Sequence, residues 1–292
     1  MLILQLTING ILVGGLYTCI ALGFSIMWGV MNLINLAHGT FIMFGAYIAF
    51  LLFTIGGVDP FLAIPAAAAV MFAVGYLLQR GVINLVIRAS VFLTLILTFG
   101  FDMLLVNVLL VLFSADTRSV TPAYSGVGIH YGGVVVPYVR IGVFVVAITL
   151  TYLLHVFLTR TKLGNAIRAT SFDREAAEMV GVDVARIFPM TFGIGAAMAG
   201  AAGALVAITY SISPVLGGAF TMKAFVVVVL GGLGSVPGAV LGGLTLGIVE
   251  HLSTLVVPPR YQEGIGFIVL LIVLLLRPSG FLGKPFYAEV KA

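Results

Sequence analysis

Nine charged side chains crowd between Arg160 and Arg186: Arg160, Lys162, Arg168, Arg174 and Arg186 against Asp173, Glu175, Glu178 and Asp183. They stand out in a chain of 292 residues of which only 8% are charged. Their spacing sets up no reaction chemistry, but it does specify a local helix. Thr170 or Ser171 can accept a backbone N–H at a helix start. Asp173 and Glu175 fall in the first turn, where the helix dipole favours acids. Gly181 suits the left-handed residue just beyond the end. The predicted helix, Phe172–Val180, is about 13 Å long at ~1.5 Å per residue, too short to cross a bilayer or to be stable alone. Phe172, Ala176, Met179 and Val180 share one face of it. Asp173, Arg174 and Glu178 lie on the other, and Ala177 leaves a small close-approach position between them. A helix that only anchors to lipid is usually rich in Lys and Arg on its polar face. This one carries more acids than bases, so a docking contact with a protein partner fits better than a resting place on the bilayer.

Elsewhere the polar residues are few. Asp102 sits in the apolar stretch "LTFGFDMLLVN", ~18 Å along at 1.5 Å per residue from Ser90, and ionisable groups at such depth are functional candidates by default. Thr98 lies four residues before it on the same face, and Asn107 is only roughly aligned. Either Asp102 lines a polar path or subunit contact, or neighbouring hydroxyls and amides satisfy it. Asn32, Asn35 and His38 cluster in a Gly-flanked interruption, "MWGVMNLINLAHG", where they can line a pathway or satisfy the backbone of a broken helix. Glu250 and His251 fall toward the end of an apolar run and read as interfacial; His155 reads as a snorkelling side chain. No P-loop occurs, and "GGLGSVPG" lacks the lysine that would reach a phosphate. A metalloprotease motif, a nucleophile elbow and a Cys/His metal cluster are also missing from the sequence. The expectation is a protein that is not an enzyme and that uses no metal and no cofactor.

The elements that must hold these residues are membrane helices. The chain is 61% hydrophobic with a mean hydropathy of +1.23, against roughly 45–50% apolar in average soluble proteins. So few charges cannot cover a soluble fold of this size, so membrane lipid must be its main solvent. The formal charge of +4 does not indicate nucleic-acid binding, because the basic residues are scattered at the ends of apolar runs and form no patch. "MLILQLTING" has no positive n-region and does not read as an ordinary cleaved signal peptide. Cys19 alone excludes an intrachain disulfide. A span needs ~20 mostly apolar residues. The candidates are Leu2–Trp28, Gly39–Ile55, Pro60–Gln79, Ser90–Phe113, Tyr138–Leu158, Ile187–Thr209, Thr221–Gly234, Val236–Val256 and Gly264–Leu276. The fold class is therefore an all-α polytopic bundle of about eight to ten spans, with Met27–Gly39 and Val228–Gly238 as broken or re-entrant pieces, and with one transmembrane domain over residues 1–292.

Placing the charged loop in the cytoplasm puts Arg80, Arg88, Arg277, Lys284 and Lys291 there too, with Arg118, Arg140, Lys223 and Arg260 on or near the outside, as the positive-inside rule expects. Rows of small residues four apart (Ala239, Gly243, Gly247; Ala199, Gly203; Ala196, Gly200) read as helix contacts within the bundle or toward a second membrane subunit. In the longest outer loop, Ser114–Pro137, the Gly-Gly between "GIHY" and "VVVP" predicts a hairpin turn.

Glu175-Ala176-Ala177 with Gly181 reproduces "EAA-x-x-x-G", which resembles the coupling motif of bacterial ABC importer permeases. Four further stretches, in order, make the resemblance more specific: "NGILVGGLYTCIALGFSIMWGVMNLINLAHG", "FGIGAAMAGAAGAL", "GGLGSVPGAVLGG" and "RPSGFLG". With "TKLGNAIRATSFDREAAEMVGVDV" around the motif itself, they cover nearly the whole chain and resemble the permeases of branched-chain amino acid ABC transporters, the LivH family. Downstream of Gly181, "IFP" only loosely matches the usual Ile-x-Leu-Pro. The resemblance implies a translocation subunit of the bacterial inner membrane that takes branched-chain or related small amino acids. The implied partners are a homologous second permease subunit (LivM-like), two cytoplasmic ATPase subunits and an extracytoplasmic substrate-binding protein. It assigns coupling to Phe172, Asp173, Arg174, Glu175, Ala176, Ala177 and Gly181. The competing function, a stand-alone secondary carrier or channel for a small polar solute, calls for intramembrane relays of several ionisable groups, and only Asp102 fits that part.

Overall fold

The computed structural model describes residues 1–86, 91–131, 133–258 and 261–283. Of the residues used above, Arg88, Ser90, Gly132, Arg260, Lys284 and Lys291 fall outside these. Eight described helices are long and apolar enough to cross a membrane. In order these are α1 (Leu2–Met31), α2 (His38–Gly56), α3 (Ile64–Leu78), α5 (Val91–Phe113), α6 (Tyr138–Arg160), α9 (Val184–Thr209), α10 (Gly217–Gly231) and α11 (Val236–Ser253). A π turn over Gln79–Ile83 prolongs α3 and leads into the one-turn α4 (Asn84–Val86). A shorter apolar stretch, Gly264–Leu276, forms most of α12 (Gln262–Leu276). The count agrees with the sequence; α10 starts earlier than expected because a 3-10 turn at Pro214–Leu216 leads into it.

Two helices, α1 and α9, each have a long central stretch that is almost wholly buried, and the others wrap them. Lipid tails are as apolar as leucine, so burial is driven by close packing and not by the flight from water. Small residues make that packing available. A Cβ on Gly247 would stand 2.4 Å from the carbonyl oxygen of Gly10, and one on Gly203 would stand 1.9 Å from that of Ile42. The row Ala239–Gly243–Gly247 therefore faces α1, and Ala199–Gly203 faces α2: both are contacts inside the bundle.

The two ends of the bundle differ in charge. At one end Gln5 hydrogen-bonds the backbone of Val135, Asp59 meets Tyr124, and Arg118 bridges to Ile212, so the amino terminus and the loops at 57–63, 114–137 and 210–213 lie together. The expected hairpin is there, β1 (Gly128–Tyr131) antiparallel to β2 (Val134–Pro137), with Gly133 at φ 82° in the turn. At the other end lie the residues after α1, the 232–235 turn and α7 (Lys162–Phe172) with α8 (Arg174–Met179). Arg160, Lys162, Arg168, Arg174 and Arg186 gather at this second end.

The charged loop folds as two helices where the sequence predicted one. Thr161 accepts from Gly164 N and starts α7 early. Asp173 then leaves the helical region (φ −157°, ψ 114°), and its carboxylate accepts from Ala176 N at 2.9 Å, so Asp173 and not Thr170 or Ser171 caps α8. Thr170 and Ser171 are inside α7, donating to the carbonyls of Ala166 and Arg168. Gly181 does take the left-handed conformation, at φ 89°.

Candidate functional site

Three places hold the polar chemistry. The first is α8. Arg174 ties it to the bundle: its guanidinium lies 4.8 Å from the ring centroid of Phe188 in α9 and 3.7 Å from Glu178. Ala177 is 3% exposed and turned into the protein, so its close approach is made to its own chain. What α8 and its two flanking residues offer outward is an apolar set edged by the exposed acids Glu175 and Glu178. Phe172, Ala176, Met179 and Val180 are exposed, Met179 at 80% and Val180 at 79%, with Glu175 beside them. Single exposed hydrophobes are ordinary, but a contiguous set rimmed by charge marks a contact surface.

The second is the connection between α1 and α2. Asn32 ends α1 as an exposed cap in the left-handed region (φ 49°). The chain then turns back into the bundle, with Leu33, Asn35, Ala37 and His38 buried. Backbone groups at membrane depth need partners, and several are supplied by side chains. Asn35 accepts from Ala37 N at 3.1 Å, and His38 Nε2–H donates to Ile20 O at 2.9 Å. Thr98 of α5 donates to Ile34 O at 3.0 Å and accepts from Leu36 N at 3.3 Å. Thr221 of α10 accepts from Gly39 N at 2.8 Å. One turn along α5, Asp102 accepts a hydrogen bond from Thr40. Thr98, Asp102, Asn35 and His38 thus meet around one re-entering segment. Asn32 and Asn107 do not join them: Asn107 is exposed on α5 and bonds only its own backbone, to Met103 O.

The third was missed by sequence reasoning. Glu250, read as interfacial, is 1% exposed. Lys223 Nζ lies 3.1 and 3.2 Å from its two oxygens, and Tyr17 Oη donates to it at 2.7 Å. Lys223 also donates to Tyr17 Oη at 3.1 Å. The three residues come from α1, α10 and α11 and close a ring of hydrogen bonds inside the bundle. Lys223, expected on or near the outside, lies within α10, toward the end that follows the 210–213 loop. A lysine inside "TMKAFVVVVLGG" was the available signal, since a lone cation in such a run requires an anion. Nothing in the spacing says that the anion is Glu250.

At the end opposite α8, Tyr124 donates to Asp59 at 2.9 Å. Burial, reinforced by that carboxylate, holds the Tyr124 hydroxyl well above the ordinary phenol range. Among the described residues no group of three or more His, Cys, Asp or Glu is placed to hold a metal ion.

Residues 6–274 match the family model described as the branched-chain amino acid transport system permease component. The chain is 35% identical over 295 residues to BraD of Pseudomonas aeruginosa, a high-affinity branched-chain amino acid transport system permease protein, with 97% of this chain and 96% of that one covered. It is 31% identical to LivH of Escherichia coli with the same coverage. It is 28% identical to LivM of Salmonella typhimurium, over 81% of this chain and 61% of that one. An all-α multi-pass bundle that matches over nearly its full length has one reading: the chain belongs to the family of branched-chain amino acid transport permeases.

Proposed function

We propose that this chain is the membrane permease subunit of an ATP-driven importer for branched-chain or related small amino acids. Residues 1–292 form one permease domain in a bacterial inner membrane. A homologous second permease subunit lies beside it, two ATPase subunits bind the cytoplasmic end, and a binding protein delivers substrate outside. The observation that carries this is the exposed apolar set of α8, at the basic end of the bundle and outside every span. ATPase closure pushes on Phe172, Ala176 and Met179. Arg174, stacked on Phe188 of α9, passes the displacement to one of the two most buried helices of the bundle. Two states are then biased at one end by nucleotide and at the other by the loaded binding protein.

The pathway is placed along α5. That helix packs on its own chain through a narrow stripe that includes Thr98 and Leu109, while its other faces are open. Asp102 is half-buried there and Asn107 is exposed, and an exposed amide at membrane depth is poorly served by lipid. A second subunit or a water-filled path serves it better. The secondary-carrier reading gains one supporting observation, the intramembrane Lys223–Glu250 pair, yet that pair is already neutralised internally and offers no free relay.

The test uses Met179→Glu and Ala176→Arg, both exposed, in place of substitutions at buried Ala177. Uptake by the assembled transporter falls at least tenfold, membrane accumulation of the chain stays normal, and the ATPase subunits no longer co-purify. Uptake that continues without ATP would favour the carrier instead.

A further inference from the structure

A cavity of about 170 Å3 opens beside the buried charge pair, between α10, α11 and α12. This far exceeds the ~10–15 Å3 of probe-occupied volume that a single water needs. Its walls have two characters. Lys223 and Glu250 present a cation and an anion side by side, while Met222, Val226, Leu246 and Phe267 are apolar. Gly218 forms part of the rim, and a Cβ added there meets no heavy atom within 4 Å.

We propose that this cavity binds the zwitterion of an apolar amino acid, a second selectivity site within the bundle itself; the inference rests on the importer reading. The argument is one of charge matching. The site is neutral as a pair, with Lys223 and Glu250 3.1 Å apart. A ligand with one carboxylate and one ammonium on the same carbon can separate the pair and replace it, giving its carboxylate to Lys223 and its ammonium to Glu250. One buried ion pair becomes two and no net charge enters. A net cation or a net anion leaves one protein charge unmatched in a medium where an unmatched charge is heavily penalised. Tyr17, which touches both Lys223 and Glu250, holds each in place while the pair is open. The apolar walls receive an aliphatic side chain and give a polar one no hydrogen bonds. Ureas and neutral amides, which carry no charge pair, have no means of opening the bridge.

The test is binding of tritiated L-leucine to the complete purified transporter without the binding protein, together with ATP-driven leucine uptake in proteoliposomes that contain the binding protein. Unlabelled leucine displaces the label. Leucinamide (a cation) and 4-methylpentanoate (an anion) displace it at least tenfold less well. Gly218→Met fills the cavity and leaves the charge pair intact, and it weakens leucine binding at least tenfold. Glu250→Gln removes the ammonium partner, and leucine loses its advantage over 4-methylpentanoate. Where Glu250→Gln fails to accumulate, Gly218→Met decides alone. Normal leucine binding in Gly218→Met overturns the proposal, as does equal displacement by all three ligands. Displacement by a short-chain phosphatidylethanolamine with no preference for leucine assigns the cavity to a lipid headgroup and overturns it too. The importer reading fails separately, if the unaltered transporter shows no ATP-driven uptake of any amino acid.

Discussion

Thr98 makes two hydrogen bonds to the backbone of the re-entering segment, one as donor and one as acceptor. Thr98→Val keeps the shape and removes both bonds. Leaving a buried polar group unsatisfied costs about 1–3 kcal/mol, so the purified chain in detergent is expected to unfold at a lower temperature by that equivalent. Val at buried Thr151, whose hydroxyl donates to Ala147 O within its own helix, serves as the comparison. An unchanged midpoint would show that Thr98 does not hold the segment. The sequence made Thr98 and Asp102 visible as a polar pair one turn apart, but it could not say that they grip residues 34–40, because that contact spans more than sixty positions. Lys223 and Glu250, 27 positions apart, were hidden because each is legible as an oddity and neither names its partner.

At the scale of elements, α8 is the informative case. Its capping was expected from Thr170 or Ser171, and Asp173 performs it, because α7 runs on through both hydroxyl residues before the chain turns extended. Local rules recognise a capping residue, but they do not choose among three adjacent ones. Asp173→Ala removes the acceptor for Ala176 N, and a lost cap of this type costs roughly 1 kcal/mol. Alanine at Gly181, in the left-handed region at φ 89°, costs about 1–2 kcal/mol. Each substitution is expected to increase proteolytic nicking between residues 172 and 183 in inverted vesicles while the spans stay protected. Equal nicking in the unaltered protein would mean that α8 is not held by these two residues. The membrane helices were far easier to read, since apolar runs of this length have few alternatives in lipid. The small-residue rows were legible as contact surfaces, and only the folded chain shows that they face α1 and α2.

For the whole molecule, the two ends predict sidedness. Cys19 is buried, so cysteines placed elsewhere report alone. Met179→Cys is expected to react with a membrane-impermeant maleimide only from the cytoplasmic face of inverted vesicles, and Ala123→Cys, in the loop near the hairpin, only from the opposite side. The reverse pattern would remove α8 from reach of any ATPase and end the importer account. A last consequence follows from Tyr17 and Glu250, hydrogen-bonded although 233 residues apart. Synthesis proceeds at ~5–20 residues per second. The first helix therefore leaves the ribosome tens of seconds before the helix that will close against its glycine face. Throughout that interval a long apolar segment with an open groove and an unengaged tyrosine must wait in the lipid, and its companion during the wait decides whether the bundle closes correctly.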